Sequence, residues 1–176
     1  MRRYSQFLIA IHWLTAILVI VAWFTAVGGR HAKTDPSYVH FTVGLAVLLL
    51  VIPRILARLI GAASDVEVPQ SYWMGIAARL GHTALYLFLI GLPLSGWYAA
   101  SRLGVGVSFF GVGLPSLATP TQGPPGMIAE LHQTGGTVVL WLAGLHALIA
   151  FWHQFVIKDR TLERMNPLAP PVLTED

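Results

Sequence analysis

Long runs of apolar residues, separated by short polar or glycine- and proline-containing stretches, dominate the hydropathy pattern of this chain. A helix needs about 20 mostly apolar residues to cross the hydrocarbon core of a membrane. Four runs reach that length, at about residues 6–27, 38–60, 79–100 and 127–157. We therefore predict an all-α fold, a bundle of four transmembrane helices, within a single domain that covers residues 1–176.

The composition agrees with a membrane protein. Of the 176 residues, 55% are hydrophobic and only 11% are charged, and the mean hydropathy is +0.66. Soluble domains carry about 25% charged residues, so the expected surroundings are membrane lipid. The chain has no cysteine, which excludes disulfides, iron–sulfur clusters, thiolate-bound zinc and a covalently attached c-type haem. Any metal must therefore be held by histidine or oxygen ligands.

The basic residues lie at the ends of the apolar runs and predict the topology. Eight of them fall on one side and three on the other, Arg30, Lys33 and Arg102. The positive-inside rule then places both termini in the cytoplasm. The net charge of +3 is consequently no indication of a nucleic-acid partner. The first apolar run is too long for the 7–15-residue core of a signal peptide, so we expect it to be retained.

One long connection, residues 101–126, lies on the outer side in this topology. It is rich in glycine and proline and nearly uncharged, so it is not expected to form a domain. Phe109, Phe110 and Leu114 suggest that it covers the membrane surface as a lid.

Four histidines lie within the apolar runs, at positions 12, 40, 132 and 146. An ionisable side chain inside a membrane is costly and indicates a functional site with a partner. His132 and His146 are 14 residues apart, so on a helix they face nearly the same way, roughly 21 Å apart along the axis. Matching depths predicts two pairs, His40 with His132 on the outer side and His12 with His146 on the inner side. Such pairs suit the axial ligands of two stacked haems, because neutral imidazole ligates haem iron.

The histidines and the glycines near them also admit other interpretations. A single histidine in a membrane can instead form hydrogen bonds between helices. His153 shares a face with His146 and competes with it, although His146 matches the depth of His12 better. His82 is interpreted as an interfacial residue, in contact with a haem propionate or without a role. The glycines after two of the histidines, Gly44, Gly135 and Gly136, admit a flat ligand close to the backbone or tight helix packing.

Four stretches of the chain together resemble the bacterial cytochrome b561 family. They are YSQFLIAIHWLTAILVI, HFTVGLAVLLLVIPRILARL, ARLGHTALYLFLIGLPLSGW and LHQTGGTVVLWLAGLHALIAFWHQFVIKDRTLERMNP. The resemblance covers most of the chain, but the outer loops, including residues 101–126, match poorly. It implies four helices around two b haems in the bacterial inner membrane. It also implies that His12 and His146 ligate the cytoplasmic-side haem, and His40 and His132 the periplasmic-side haem.

The activity implied by the resemblance is the oxidation of superoxide outside and the reduction of ubiquinone inside. Arg30, Lys33 and Arg102 are candidates for attracting the superoxide anion, or are ordinary loop charges. His153 and Lys158 are candidates for a proton route to the quinone, or form an interfacial cluster. Arg54 and Arg58 either pair with propionates or reach the lipid phosphates. Relatives with this helix pattern also serve hydrogenases and dehydrogenases, so the alternative is an electron-carrier subunit that takes electrons from such a partner; a protein partner is possible but not required.

Overall fold

Four long helices account for most of the fold. The computed structural model describes residues 4–26, 35–59, 71–123 and 126–168. The long helices are α1 (Gln6–Phe24), α2 (Tyr38–Leu59), α3 (Tyr72–Leu103) and α4 (Met127–Trp152). All four are long and apolar enough to cross a membrane, which confirms the predicted transmembrane four-helix fold. Residues 27 and 60, where the first two helices were predicted to end, lie outside the described residues.

The helices pack as a closed bundle in chain order. Helix α1 packs on α2, α2 on α3 and α3 on α4, and α1 also contacts α4. Ile9 and Val51 are fully buried between helices, whereas large apolar side chains such as Trp141 and Leu148 are exposed on the outside of the bundle. This distribution is expected when the surrounding solvent is lipid, because an apolar outer surface then carries no cost.

Helix α3 is longer than its apolar run. It begins at Tyr72 rather than near Arg79, because the hydroxyl oxygen of Ser71 accepts a hydrogen bond of 3.3 Å from the Met74 N–H and caps the first turn. It ends at Gly104, whose φ of +74° gives the left-handed conformation common after a helix. Apolar content therefore predicted the membrane span, while the capping residues decide the length of the helix.

The outer connection forms an ordered cover on the bundle. Strands β1 (Ser108–Phe109) and β2 (Val112–Gly113) make a small antiparallel hairpin. The indole N–H of Trp97 donates to the Pro115 carbonyl oxygen over 3.0 Å. Val107 is buried against Leu45 and Ala100. The hairpin was not predicted, because its turn consists of Phe110 and Gly111, both at positive φ, instead of the usual Asn-Gly pair.

The chain folds back on itself after α4. Its last turn widens into a π-helical turn, His153–Ile157, and ends at Lys158, whose φ is +62°. A short helix, α5 (Thr161–Arg164), follows. The Trp13 indole N–H donates to the Met165 carbonyl oxygen over 2.8 Å. This hydrogen bond ties the returning segment to α1, next to His12. We call residues 153–165 the C-terminal cap.

Candidate functional site

His40 and His132 face each other across the bundle, from α2 and α4. Their ring centroids are 5.9 Å apart and their planes are nearly perpendicular, at 89°. His40 Nδ1 lies 2.8 Å from the Ala22 carbonyl oxygen, and His132 Nδ1 lies 2.9 Å from that of Leu92. A carbonyl oxygen only accepts, so each Nδ1 must be the protonated donor. Both Nε2 atoms therefore keep a free lone pair, the arrangement that orients a metal-ligating histidine.

A cavity of about 990 Å³ surrounds this outer pair. All four helices and the outer loop line it, and most of the lining side chains are apolar. Ligand pockets in proteins measure about 300–1,000 Å³ and combine an apolar lining with a few placed polar groups. The cavity therefore offers the volume and the surroundings for a large, flat, apolar cofactor between His40 and His132.

The three glycines singled out in the sequence divide between the two interpretations. A Cβ atom on Gly135 would lie 2.8 Å from Leu92 Cδ2, so this glycine serves helix packing. Gly44 and Gly136 have open space at the Cβ position and line the cavity, where they leave room for a ligand. A fourth glycine, Gly96, was not predicted to take part. A Cβ atom at this position would lie 2.6 Å from His132 Cε1, so the ring of His132 needs a glycine here.

The inner pair, His12 and His146, comes from α1 and α4. Their ring centroids are 6.3 Å apart at an interplanar angle of 49°. His12 Nδ1 is buried and has no hydrogen-bond partner among the described residues. A buried polar atom without a partner costs about 1–3 kcal/mol, so this ring is available to a partner other than the described residues.

His82 joins the inner pair, a contact between histidines that was not predicted. Its ring centroid lies 5.4 Å from that of His146. His82 is ten residues past Tyr72, roughly 15 Å along α3 from its first residue. The sequence signal that pointed to an interfacial residue was the neighbouring Arg79, which lies within α3 rather than at its end.

Arg54 and Arg58 lie at the same end of the bundle as the inner pair. Their guanidinium carbons are 5.6 Å and 5.8 Å from the centre of the Tyr86 ring, within the range of cation–π contacts. In the part of the chain that the structure describes, neither forms an ion pair with a carboxylate. Arg54 is half-buried, whereas Arg58 is exposed. Two cationic groups without an acidic partner are thus available beside the inner histidines.

The remaining predicted residues lie at the two ends of the bundle. His153 Nδ1 contacts Asp159 Oδ2 over 2.5 Å, and Lys158 is exposed at the turn that follows. Arg102 lies in the last turn of α3, at the other end. Arg30 and Lys33 lie outside the described residues.

The distances in both pairs suit bis-histidine ligation of haem iron. Imidazoles on opposite sides of one metal ion have ring centroids on the order of 6 Å apart, because each metal–nitrogen bond is about 2 Å long. The outer pair, at 5.9 Å, and the inner pair, at 6.3 Å, both agree with this spacing. Within the described residues, no three histidine or acidic side chains converge as ligands of a bare metal ion. The histidines thus fit axial ligands better than a protein-only metal cage.

Comparisons with known proteins agree with this geometry. A sequence model of prokaryotic cytochrome b561 matches residues 3–167. The chain is 31% identical over 170 residues to a probable superoxide oxidase, CybB, of Yersinia pestis, covering 94% of this chain and 97% of that protein. It is 28% identical over 173 residues to cytochrome b561 homolog 1 of Escherichia coli (strain K12), covering 95% and 98%. Cytochrome b562 of Cereibacter sphaeroides is 30% identical over 173 residues, with 92% and 94% covered.

The family match spans nearly the whole chain, and the family implies b-type haem as the cofactor. Together with the four transmembrane helices and their facing histidines, it shows that this chain is an electron-transfer membrane protein of the prokaryotic cytochrome b561 family.

Proposed function

We propose that this chain oxidises superoxide on the outer side of the bacterial inner membrane and reduces ubiquinone on the inner side. The observation that carries the proposal is the presence of two facing histidine pairs, one toward each end of a single transmembrane bundle. Along α4, His132 and His146 are separated by roughly 21 Å. Redox groups held at both levels would span much of the hydrocarbon core, which is about 30 Å thick.

Two haems b per chain are part of the proposal. His40 and His132 would hold one, and His12 and His146 the other. Held by two histidines, each haem would supply single-electron exchange. The hydrogen bonds to Ala22 and Leu92 hold the outer rings with Nε2 free, and a mostly apolar cavity surrounds them.

Arg54 and Arg58 would neutralise the carboxylates of the inner cofactor. Their guanidinium groups lack an acidic partner among the described residues, and arginine pairs strongly with carboxylates. The contact of Arg58 with Tyr86 supports this role in addition to its expected reach toward the lipid phosphates.

The name of the Yersinia relative supports superoxide as the electron donor. Superoxide is an anion, and a cation near the entrance of a site raises its rate of encounter. Arg102 supplies such a charge at the end of the bundle that carries the outer pair. Arg30 and Lys33 would add to it from the same side in the predicted topology.

Ubiquinone reduction at the inner end needs two electrons and two protons. His153 and Lys158 both lie in the C-terminal cap, where protons from the cytoplasm would be within reach. The basic residues Arg54, Arg58 and Lys158 lie at this end, which supports a cytoplasmic location for it and for both termini.

The test is made on the purified chain. The pyridine haemochrome spectrum is expected to give two b haems per chain, and xanthine oxidase-generated superoxide is expected to reduce ubiquinone-1 in a reaction that superoxide dismutase abolishes. A colourless protein would overturn the haem assignment. A dihaem protein that superoxide cannot reduce would overturn the choice of donor.

A second candidate is an electron-carrier subunit for a dehydrogenase or hydrogenase partner. The relatives from Escherichia coli and Cereibacter sphaeroides are named as cytochromes without a substrate, which is compatible with that role. The same assay separates the two, because a carrier subunit would contain haem but require its partner for quinone reduction.

A further inference from the structure

The C-terminal cap contains a histidine–carboxylate pair that the helix ending itself creates. After the π-helical turn, Lys158 adopts the left-handed conformation at φ +62° and reverses the chain. The reversal carries Asp159 back over the turn, where its N–H donates to the His153 carbonyl oxygen over 3.2 Å. Its carboxylate meets the ring of the same histidine. Isolated π-helical turns frequently occur at functional sites.

Both oxygens of the Asp159 carboxylate are engaged. Oδ2 lies 2.5 Å from His153 Nδ1. Oδ1 accepts from the Thr161 N–H over 3.1 Å and from the Thr161 hydroxyl over 2.5 Å. The side chains of His153 and Asp159 are only 21% and 16% exposed. The carboxylate therefore has one orientation, with Oδ1 assigned to Thr161 and Oδ2 to the imidazole.

The charged groups around the pair leave this contact intact. Arg164 donates to the backbone carbonyl oxygen of Asp159 over 2.7 Å. Arg160 pairs with Glu163 over 2.6 Å, and Lys158 is exposed. Burial alone would raise the pKa of Asp159, but hydrogen bonds from His153 and Thr161 outweigh it and hold that pKa below its ordinary value. The carboxylate is therefore ionised at neutral pH and acts only as an acceptor.

The cap is also fixed to the bundle beside the inner histidine pair. The Gln154 side chain accepts from the Leu162 N–H over 3.1 Å, which joins the π-helical turn to α5. The hydrogen bond from Trp13 to Met165 then joins the segment after α5 to α1, one residue from His12. The His153–Asp159 pair therefore belongs to a segment that hydrogen bonds connect to the bundle beside the inner histidines.

We propose that Asp159 is a positioning residue that holds His153 as the proton donor for ubiquinone, an inference that rests on the proposed function. An ionised carboxylate next to Nδ1 requires a proton on that nitrogen, so Nε2 is the atom that exchanges its proton. The doubly protonated ring releases the Nε2 proton to a quinone oxygen and is reprotonated there from cytoplasmic water. Two such transfers, with two electrons from the oxidation of two superoxide anions to two O₂, convert one quinone to one quinol.

The substitution Asp159→Asn tests this proposal directly, because the hydrogen bonds donated by Thr161 determine the orientation of the new amide. The N–H and the hydroxyl group of Thr161 both donate, so they bind the oxygen of the new amide. The NH₂ group of that amide must then face His153. An NH₂ group donates, so His153 Nδ1 must then accept, and the neutral ring changes to the tautomer with the proton on Nε2. The doubly protonated ring loses its acceptor on Nδ1, and the proton supply to the quinone slows.

The experiment uses the purified full chain in detergent, with ¹⁵N-labelled histidine. In the wild type, the neutral His153 ring is expected to carry its proton on Nδ1, and in Asp159→Asn on Nε2. The kcat of ubiquinone-1 reduction is expected to fall about tenfold or more, in the range of second-sphere substitutions, with little change in KM. Asp159→Glu, which keeps the carboxylate, is expected to restore the Nδ1 tautomer and part of the rate.

Glu163→Gln is the matched control, because it removes the same charge from the same cap at a pair with Arg160 and keeps a side-chain oxygen that can accept from Gln154 Nε2, which lies 3.2 Å from Glu163 Oε1. It is expected to leave both the tautomer and kcat unchanged. An unchanged His153 tautomer in Asp159→Asn, or a kcat within twofold of the wild type, would overturn the inference. A wild-type chain without any quinone reduction would instead overturn the proposed function, and the tautomer measurement would still decide whether Asp159 positions His153.

Discussion

The imidazole of His132 packs directly against the backbone of Gly96. A Cβ atom at Gly96 would lie 2.6 Å from Cε1 and 3.0 Å from Nδ1 of that ring. The ring has little freedom to retreat, because Nδ1 also lies 2.9 Å from the Leu92 carbonyl oxygen on the same helix. Helix α3 thus fixes the His132 ring in two ways. The Leu92 carbonyl oxygen accepts its hydrogen bond, and one turn later the lack of a side chain at Gly96 leaves room for the ring.

Gly96→Ala is expected to displace the His132 ring and weaken the outer haem site. The added methyl group overlaps a ring atom, so the ring must move and Nε2 leaves its position opposite His40. We expect the haem content to fall from two to about one per chain, a loss in the range of the 10–100-fold weaker binding produced by changes around a metal ligand. Gly91→Ala, on the same helix with nothing within 4 Å of the new Cβ, should retain both haems. Full haem content in Gly96→Ala would contradict this account.

The three histidines of the inner cluster are expected to differ in their effect on haem content. The 6.3 Å separation of His12 and His146 matches two ligand bonds better than the 5.4 Å separation of His82 and His146. His12→Ala should therefore lose one haem, whereas His82→Ala should keep two and only alter the low-temperature α-band of the inner one. Haem quantification with redox spectra of both variants decides the question, and the reverse result would make His82 the ligand.

Arg54→Gln is expected to lower the reduction midpoint potential of the inner haem. A nearby positive charge favours the reduced state, and its removal costs on the order of 1 kcal/mol for a partly screened pair. Spectroelectrochemical titration should show a shift of tens of millivolts in the inner haem alone. Arg102→Gln, at the other end of the bundle, serves as the control and should leave that potential unchanged. No shift in Arg54→Gln would indicate that Arg54 reaches the lipid phosphates instead.

The C-terminal cap is expected to loosen in acid. The pKa of Asp159 is lowered in the folded chain from its ordinary value of 3.8, so folding favours the carboxylate. The stabilisation is complete above pH 3.8 and is lost as the pH falls through the lower, folded value. The Thr161 amide resonance, whose N–H donates to Asp159 Oδ1, should titrate with a midpoint below 3.8. A midpoint above 3.8 would contradict the hydrogen-bond assignment.

Some features of the molecule do not follow from the residues of one segment alone. The apolar run predicted the third span, but the hydrogen bond from the Met74 N–H to Ser71 begins the helix earlier, and the contact of His82 with His146 was not predicted. The glycines illustrate the same limit. Gly135 and Gly136 are adjacent in the sequence, yet one contacts Leu92 and the other opens on the cavity, because successive helical residues face different directions.

Sequence patterns alone predicted the four membrane spans and the pairing of His12 with His146 and of His40 with His132, because span length and axial position follow from local hydropathy and helix rise. The packing of the helices brings together groups from different helices, His82 with His146 and Gly96 with His132, and the reversal at Lys158 brings Asp159 to His153. These contacts depend on the rotation of each helix about its axis and, for Asp159, on the positive φ of Lys158. Neither property is encoded in the hydropathy of a single segment, since both result from the packing of the whole bundle.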